Sequence, residues 1–118
     1  MKISTIVELL NAKVLCGEDK LEGTVKSACG CDMMSDVLAF VKDQAVLVTG
    51  LCNPQVVRTA VMMDMRCIVF VRGKTPPEAD ISLADDAGMV VLATNERMYT
   101  ACGKLYTNGL AGGEVVDG

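Results

Sequence analysis

Ala45-Val46-Leu47-Val48-Thr49-Gly50-Leu51-Cys52-Asn53-Pro54, followed after a helix-length interval by Cys67-Ile68-Val69-Phe70-Val71-Arg72-Gly73, is the stretch that decides the fold. The first apolar run is short, β-branched and closed by Gly50, which fits a buried parallel strand better than a helix. Asn53-Pro54 is a capping residue followed by proline at the first helical position, where a missing N–H costs nothing and φ is already helical. Val57, Ala60, Val61 and Met65 then recur at helical spacing, with Gln55, Arg58 and Asp64 on the opposite side. Cys67 opens a second strand pattern that Arg72-Gly73 ends. A unit of about thirty residues with this order is a βαβ crossover, which the handedness rule makes right-handed.

Downstream, Lys74-Thr75-Pro76-Pro77 forms a turn before a helix over residues 78–87, with Ile81, Leu83 and Ala84 inward and Gly88 just past its end. Met89-Val90-Val91-Leu92-Ala93 reads as a third buried strand, and Thr94-Asn95 as another switch from strand to helix. The last helix places Met98, Ala101, Cys102, Leu105 and Tyr106 on one face before Asn108-Gly109. Upstream, Ser4 is expected to cap a short helix with apolar Ile6, Val7, Leu9 and Leu10, and Asn11-Ala12 to lead into the strand Lys13-Val14-Leu15-Cys16, stopped by Gly17. Residues 18–24 are turn-like and residues 25–31 alternate weakly, predicting a second strand. Asp32 or Ser35 then caps a helix carrying Val37, Leu38 and Val41, and Lys42-Asp43-Gln44 hands over to the central unit. The expectation is one α/β domain over residues 1–110, a layered sheet largely parallel in its second half and flanked by helices. Residues 111–118 are expected to be a flexible tail, frayed unless Val115 and Val116 pair with a sheet edge.

Composition narrows the function. A chain of 118 residues is long enough to bury a core of its own. Hydrophobic residues make up 51 %, yet there are only two Phe, two Tyr and no Trp, so Val, Leu, Ile, Met, Ala and Cys must fill that core and stacking platforms for bases are scarce. The net charge of -4, with no basic run, argues against nucleic acid and anionic membranes as partners. Glu8 falls too early for a secretory apolar region, and no apolar run approaches the ~18 residues a membrane span needs, so the expected location is the cytoplasm. Six cysteines then read as reduced thiols. The absence of histidine removes Ser–His and Cys–His nucleophiles and every histidine metal site.

Three strand ends carry small, polar or basic residues: Thr49-Gly50 with Asn53, Arg72-Gly73 with Lys74 and Thr75, and Thr94-Asn95. Ligands of open α/β sheets sit outside the carboxyl ends of parallel strands, where helix N-termini present free N–H groups, so these residues could line an anion or nucleotide pocket. They also serve equally well as caps and tight turns. Neither GxGxxG nor GxxxxGK[ST] occurs, and no cofactor is expected. Asp32 and Asp36, flanking Ser35, suit an acid/base pair or a Mg²⁺ site, or simply stabilise a helix start. Cys29-Gly30-Cys31 with Cys52 offers three thiolates, but without CxxC spacing no metal is expected. Cys67 and Cys102 read as small hydrophobes, and Val61-Met62-Met63-Asp64-Met65 as core filler or an adaptable contact surface.

The string Asp32-Met33-Met34-Ser35-Asp36-Val37-Leu38, then Val48-Thr49-Gly50 with Asn53-Pro54, Arg72-Gly73-Lys74-Thr75-Pro76, and Leu92-Ala93-Thr94 before Gly103-Lys104-Leu105-Tyr106, resembles the DRTGG domain across residues 5–110. Asp32, Ser35, Asp36, Gly73, Pro76 and Thr94 match the family's D-L-L-S-D-V, G-x-x-P and L-S-T patterns. The chain departs from them in lacking a literal Asp-Arg-Thr-Gly-Gly string and in having Arg72-Gly73 where many relatives have two glycines. The resemblance implies an accessory α/β domain, similar to the N-terminal domain of HPr kinase/phosphorylase and to the module beside CBS domains in regulated pyrophosphatases, with catalysis housed elsewhere.

Together these readings point to a non-catalytic regulatory, ligand-sensing or protein-interaction module that binds a nucleotide or other phosphorylated small molecule. The expected contacts are Thr49, Gly50, Asn53, Arg72, Gly73 and Thr94, with Asp32, Ser35, Asp36 and Lys74 as further candidates. The alternatives are a small enzyme acting on a phosphorylated substrate through Asp32 and Asp36, and a cysteine-based redox or metal protein. A homodimer is expected, because apolar residues occupy more than one helix face and because the resemblance implies dimeric assemblies; a protein partner is the other expectation.

Overall fold

Asn53 starts a helix as its place before Pro54 predicts: its side chain accepts the Gln55 N–H at 3.0 Å. The structure, a computed structural model of the chain, describes residues 1–40 and 45–112. The elements are α1 (Ile3–Leu10), β1 (Lys13–Cys16), β2 (Ser27–Gly30), α2 (Met34–Phe40), β3 (Ala45–Thr49), α3 (Pro54–Met62), β4 (Cys67–Phe70), α4 (Glu78–Asp86), β5 (Val90–Ala93) and α5 (Met98–Thr107), with a 3-10 turn at Glu18–Lys20. They form a five-stranded sheet in the order β1-β5-β4-β3-β2. The strands β2 to β5 are parallel, so the parallel arrangement begins before the second half of the chain. β1 alone runs antiparallel, beside β5.

Alternate residues of the central strands enter two separate apolar layers. Val46, Val48, Cys67, Val69, Val90 and Leu92 pack with Ile3, Ile6 and Leu10 of α1 and with Ala101 and Leu105 of α5. Ala45, Leu47, Ile68, Phe70 and Val91 pack with Val37 of α2, Val56, Val57 and Ala60 of α3, and Ala84 of α4. Burial on both faces explains why these strands read as continuous apolar runs. No helix among the described residues is long and apolar enough to cross a membrane.

Several expectations at element ends need correction. Lys2, not Ser4, holds the N-cap position of α1, and the N–H groups of Ile3 and Ser4 donate to Gly23 O at 2.9 Å and Leu21 O at 2.8 Å, so a loop supplies what a capping side chain would. The second strand is confined to Ser27–Gly30. α2 begins at Met34, which leaves Ser35 inside the helix, and the Asp32 side chain turns toward β3 instead of capping it. α5 begins at Met98 with Arg97 at its cap position, so Asn95 does not start that helix. Val61, Leu83 and Tyr106 point outward, with 39 %, 40 % and 70 % of their surface exposed. Each adjoins a buried residue of its own helix, Ala60, Ala84 and Leu105 respectively, and one residue rotates a helix by about 100°. The expectations for Val41, for Lys42-Asp43-Gln44, and for Val115 and Val116 lie outside the described residues. Just before that last stretch, Ala111 O accepts the Ala28 N–H at 3.0 Å, which brings the end of the described chain to the outer edge of β2.

These two layers predict a contrast between two leucines. Leu47→Ala, at a fully buried position, is expected to destabilise the fold by about 2–5 kcal/mol, whereas Leu83→Ala should change stability by about 0.5 kcal/mol or less. Urea unfolding of both variants checks the assignment; comparable losses would mean that α4 turns Leu83 inward.

Candidate functional site

The registers Gly30↔Val48, Thr49↔Phe70 and Phe70↔Ala93 set the carboxyl ends of β2, β3, β4 and β5 side by side. Along that edge Asp32 follows β2, Gly50 follows β3, Arg72 follows β4 and Thr94 follows β5. Asp32 Oδ1 accepts the Thr49 hydroxyl at 3.0 Å and the Gly50 N–H at 2.8 Å, and Asp32 Oδ2 faces Arg72 Nη2 at 3.9 Å. The Arg72 guanidinium lies across Gly50, close enough that a Cβ on Gly50 would overlap it. Glycine is therefore needed at position 50 for the arginine to lie against the backbone.

The arginine is aimed by its own main chain. Arg72 and Gly73 both take left-handed conformations, with φ of 60° and 68°. For a non-glycine residue this costs roughly 1–2 kcal/mol, and hydrogen bonds offset it: Arg72 N to Glu96 O at 2.8 Å, Gly73 N to Thr94 O at 2.9 Å and Lys74 N to Val71 O at 3.2 Å. The loop after β4 is thus pinned to the loop after β5. Thr94 is pinned in turn, donating its hydroxyl to Leu10 O at 2.7 Å and accepting the Glu96 N–H at 3.2 Å.

The candidate residues accordingly divide. Arg72, Gly73 and Lys74 are exposed and Asn53 is half-buried, so these four can meet a solute. Thr49, Gly50 and Thr94 are buried, and both hydroxyls are engaged within the chain; they shape the edge from beneath. Ser35 lines a groove between α2 and α3 instead, and Asp36 sits on the exposed side of α2. Beyond Gly73 the edge opens into a depression of about 200 Å³ lined by Asn11, Lys13, Gly73, Thr75, Ala93, Thr94 and Asn95. Lys13 and Asn11 went unnoticed in the sequence because only the antiparallel pairing of β1 brings its start to the ends of the parallel strands. Asp80 was also missed. It is buried in the first turn of α4, and its Oδ2 has no hydrogen-bond partner among the described residues. The readable signal was an acidic residue in the first turn of a helix that follows a parallel strand.

The cysteines are divided between the two apolar layers, Cys67 and Cys102 in one and Cys16, Cys29, Cys31 and Cys52 in the other. Burial pushes the Cys29 thiol up to about 11, with Cys31, Cys102 and Asp36 adding to it, so it stays protonated at neutral pH, whereas metal ligation and nucleophilic attack need thiolate. Cys52 lies elsewhere, on the loop after β3. Burial raises it, Lys74 and Arg72 oppose that, and Asp32 and Asp80 reinforce it, which marks all four charges as neighbours of this loop. Among the described residues no three His, Cys, Asp or Glu side chains come together to hold a metal ion.

Similarity to known proteins agrees with this architecture. The crystal structure of the CBS and DRTGG domains of the regulatory region of Clostridium perfringens pyrophosphatase, complexed with the activator diadenosine tetraphosphate, is similar with a TM-score of 0.72 at 17 % identity, over 88 % of this chain. The match covers 45 % of that structure, so this chain spans less than half of it. Among curated proteins none matches. The family model described as the DRTGG domain matches residues 5–107, nearly the whole chain, and the chain belongs to the DRTGG domain family.

Proposed function

We propose that this chain is a regulatory module without a reaction of its own, whose strand-end edge holds the anionic group of a nucleotide or other phosphorylated small molecule. The observation that carries the reading is the Arg72 guanidinium, laid over Gly50 at the carboxyl ends of parallel strands and beside the capped start of α3. A helix N-terminus and an arginine favour the same guest, a group with several negatively charged oxygens. Lys74 adds charge on the same loop, and the depression beyond Gly73 has room for the rest of a small ligand. The activator named for the pyrophosphatase regulatory region, a dinucleoside polyphosphate, is a ligand of this class.

The same reading includes self-association through α2 and α3. Met33, Leu38, Val61 and Met62 are exposed there, around a groove of about 300 Å³ lined in part by Leu38, Arg58 and Met62. A second copy that buried these four side chains would remove their apolar surface from water.

Isothermal titration with inorganic phosphate, AMP and ADP tests the site. Arg72→Gly removes the cation while suiting the left-handed backbone, so folding stability should change by less than about 1 kcal/mol while anion affinity falls at least about tenfold. Equal affinities would remove Arg72 from the site, and binding of none of these probes by the wild type would remove the ligand-sensing reading. Sedimentation equilibrium tests the association: Met62→Glu should shift the protein toward a 12.5 kDa monomer that stays folded by circular dichroism. A wild type that is already monomeric at tens of micromolar would discard the dimer.

A further inference from the structure

The buried donors at the end of β3, just beneath the edge, are already occupied by a carboxylate of this chain. Asp32 Oδ1 takes the Gly50 N–H at 2.8 Å and the Thr49 hydroxyl at 3.0 Å, which are the donors at the end of β3. Its second oxygen faces the guanidinium that the first oxygen's partner, Gly50, supports. The two contacts differ in strength. The bonds to β3 are short, whereas the 3.9 Å separation from Arg72 Nη2 is beyond hydrogen-bond length, and the two side chains are 51 % and 47 % exposed. Such a pair is weakly held and well solvated, and it leaves the arginine's donors available.

We infer that Asp32 is an internal competitor for the ligand's anionic group, and that a phosphoryl group must displace it to bind. The inference rests on the proposed anion site. A phosphate dianion has the charge advantage over a single carboxylate for Arg72, Lys74 and the α3 terminus, whereas a monoanionic carboxylate ligand would only exchange like for like. Asp32 therefore sets the specificity of the edge, favouring phosphorylated over carboxylated solutes. It also gives occupancy a consequence. Asp32 lies directly before Met33 and α2, so releasing it loosens the connection between β2 and the segment that carries the exposed Met33 and, on α2, the exposed Leu38. The ligand edge and the proposed contact face are joined through one side chain.

The test compares inorganic phosphate and acetate binding to the wild type and Asp32→Asn by isothermal titration, with and without Mg²⁺. Asparagine keeps an acceptor for Gly50 and Thr49 but removes the competing charge, so phosphate affinity should rise about fivefold and the preference for phosphate over acetate should narrow. Unchanged or weaker phosphate binding by Asp32→Asn, with binding by the wild type, overturns the inference and leaves the anion site standing. A Mg²⁺ requirement lost in Asp32→Asn would make Asp32 a bridging ligand and also overturns it. Binding by neither protein overturns both. Amide hydrogen exchange of the wild type gives a second reading that needs no variant: phosphate should speed exchange over residues 32–37, and slower exchange there would show Asp32 retained.

Discussion

Burial of both faces of β3, β4 and β5 is the constraint on which the rest of this structure depends. A strand covered on both sides leaves little place for a polar residue at either face, and its helices must return the chain to the same starting edge each time. The consequences are local as well as global. Because every parallel strand ends on one edge, polar and charged residues excluded from the strands accumulate in the loops there, and Asp32, Gly50, Arg72 and Thr94 become neighbours across a wide span of sequence. The site is a by-product of the topology before it is anything else.

Within that edge the residues depend on one another in a definite order. The backbone bonds that tie residues 72–74 to residues 71, 94 and 96 hold Arg72 in a conformation it would otherwise avoid. That conformation sends the guanidinium across β3, where only a glycine leaves room for it. Gly50 then exposes an N–H that needs an acceptor, and Asp32 supplies it. Replacing the glycine would displace the arginine's flexible end rather than the backbone, so the arrangement is adjustable at its outer layer and rigid beneath. That combination lets side chains on the edge rearrange without unfolding the sheet.

The DRTGG family match covers this sheet with its edge dressed by charged loops, and among the described residues no three His, Cys, Asp or Glu side chains come together to hold a metal ion. Asp32 and Asp36 share a motif in the sequence but face different surroundings, one bound to β3 and the other on the outer side of α2. Cys67 is fully enclosed and behaves as apolar filler, and burial drives its thiol upward, as partial burial does for Cys29. In a core with so few aromatics, sulfur and branched aliphatic side chains do the filling.

The sequence alone determined the βαβ unit, the three buried strands after Gln44, the Asn53-Pro54 helix start, the turn at Arg72-Gly73 and the family, because each is written in contiguous residues: an apolar run, a cap, a proline, a glycine. It also placed three strand ends on one edge, since handedness follows from local chirality. What only the tertiary structure decided is whatever depends on partners distant in the chain. Ser4, Asp32 and Asn95 all look like caps, but the carbonyls of Leu21 and Gly23, the donors at the end of β3 and the pairing of residues 72–73 with 94–96 took over those roles. The rotation of each helix, which turned Val61, Leu83 and Tyr106 outward, was set by the sheet beneath it, not by a pattern broad enough to allow two neighbouring faces. The antiparallel return of β1, which brings Lys13 and Asn11 to the candidate site, is not written in the residues of β1, because strand direction depends on the side of the fold from which the chain enters the strand.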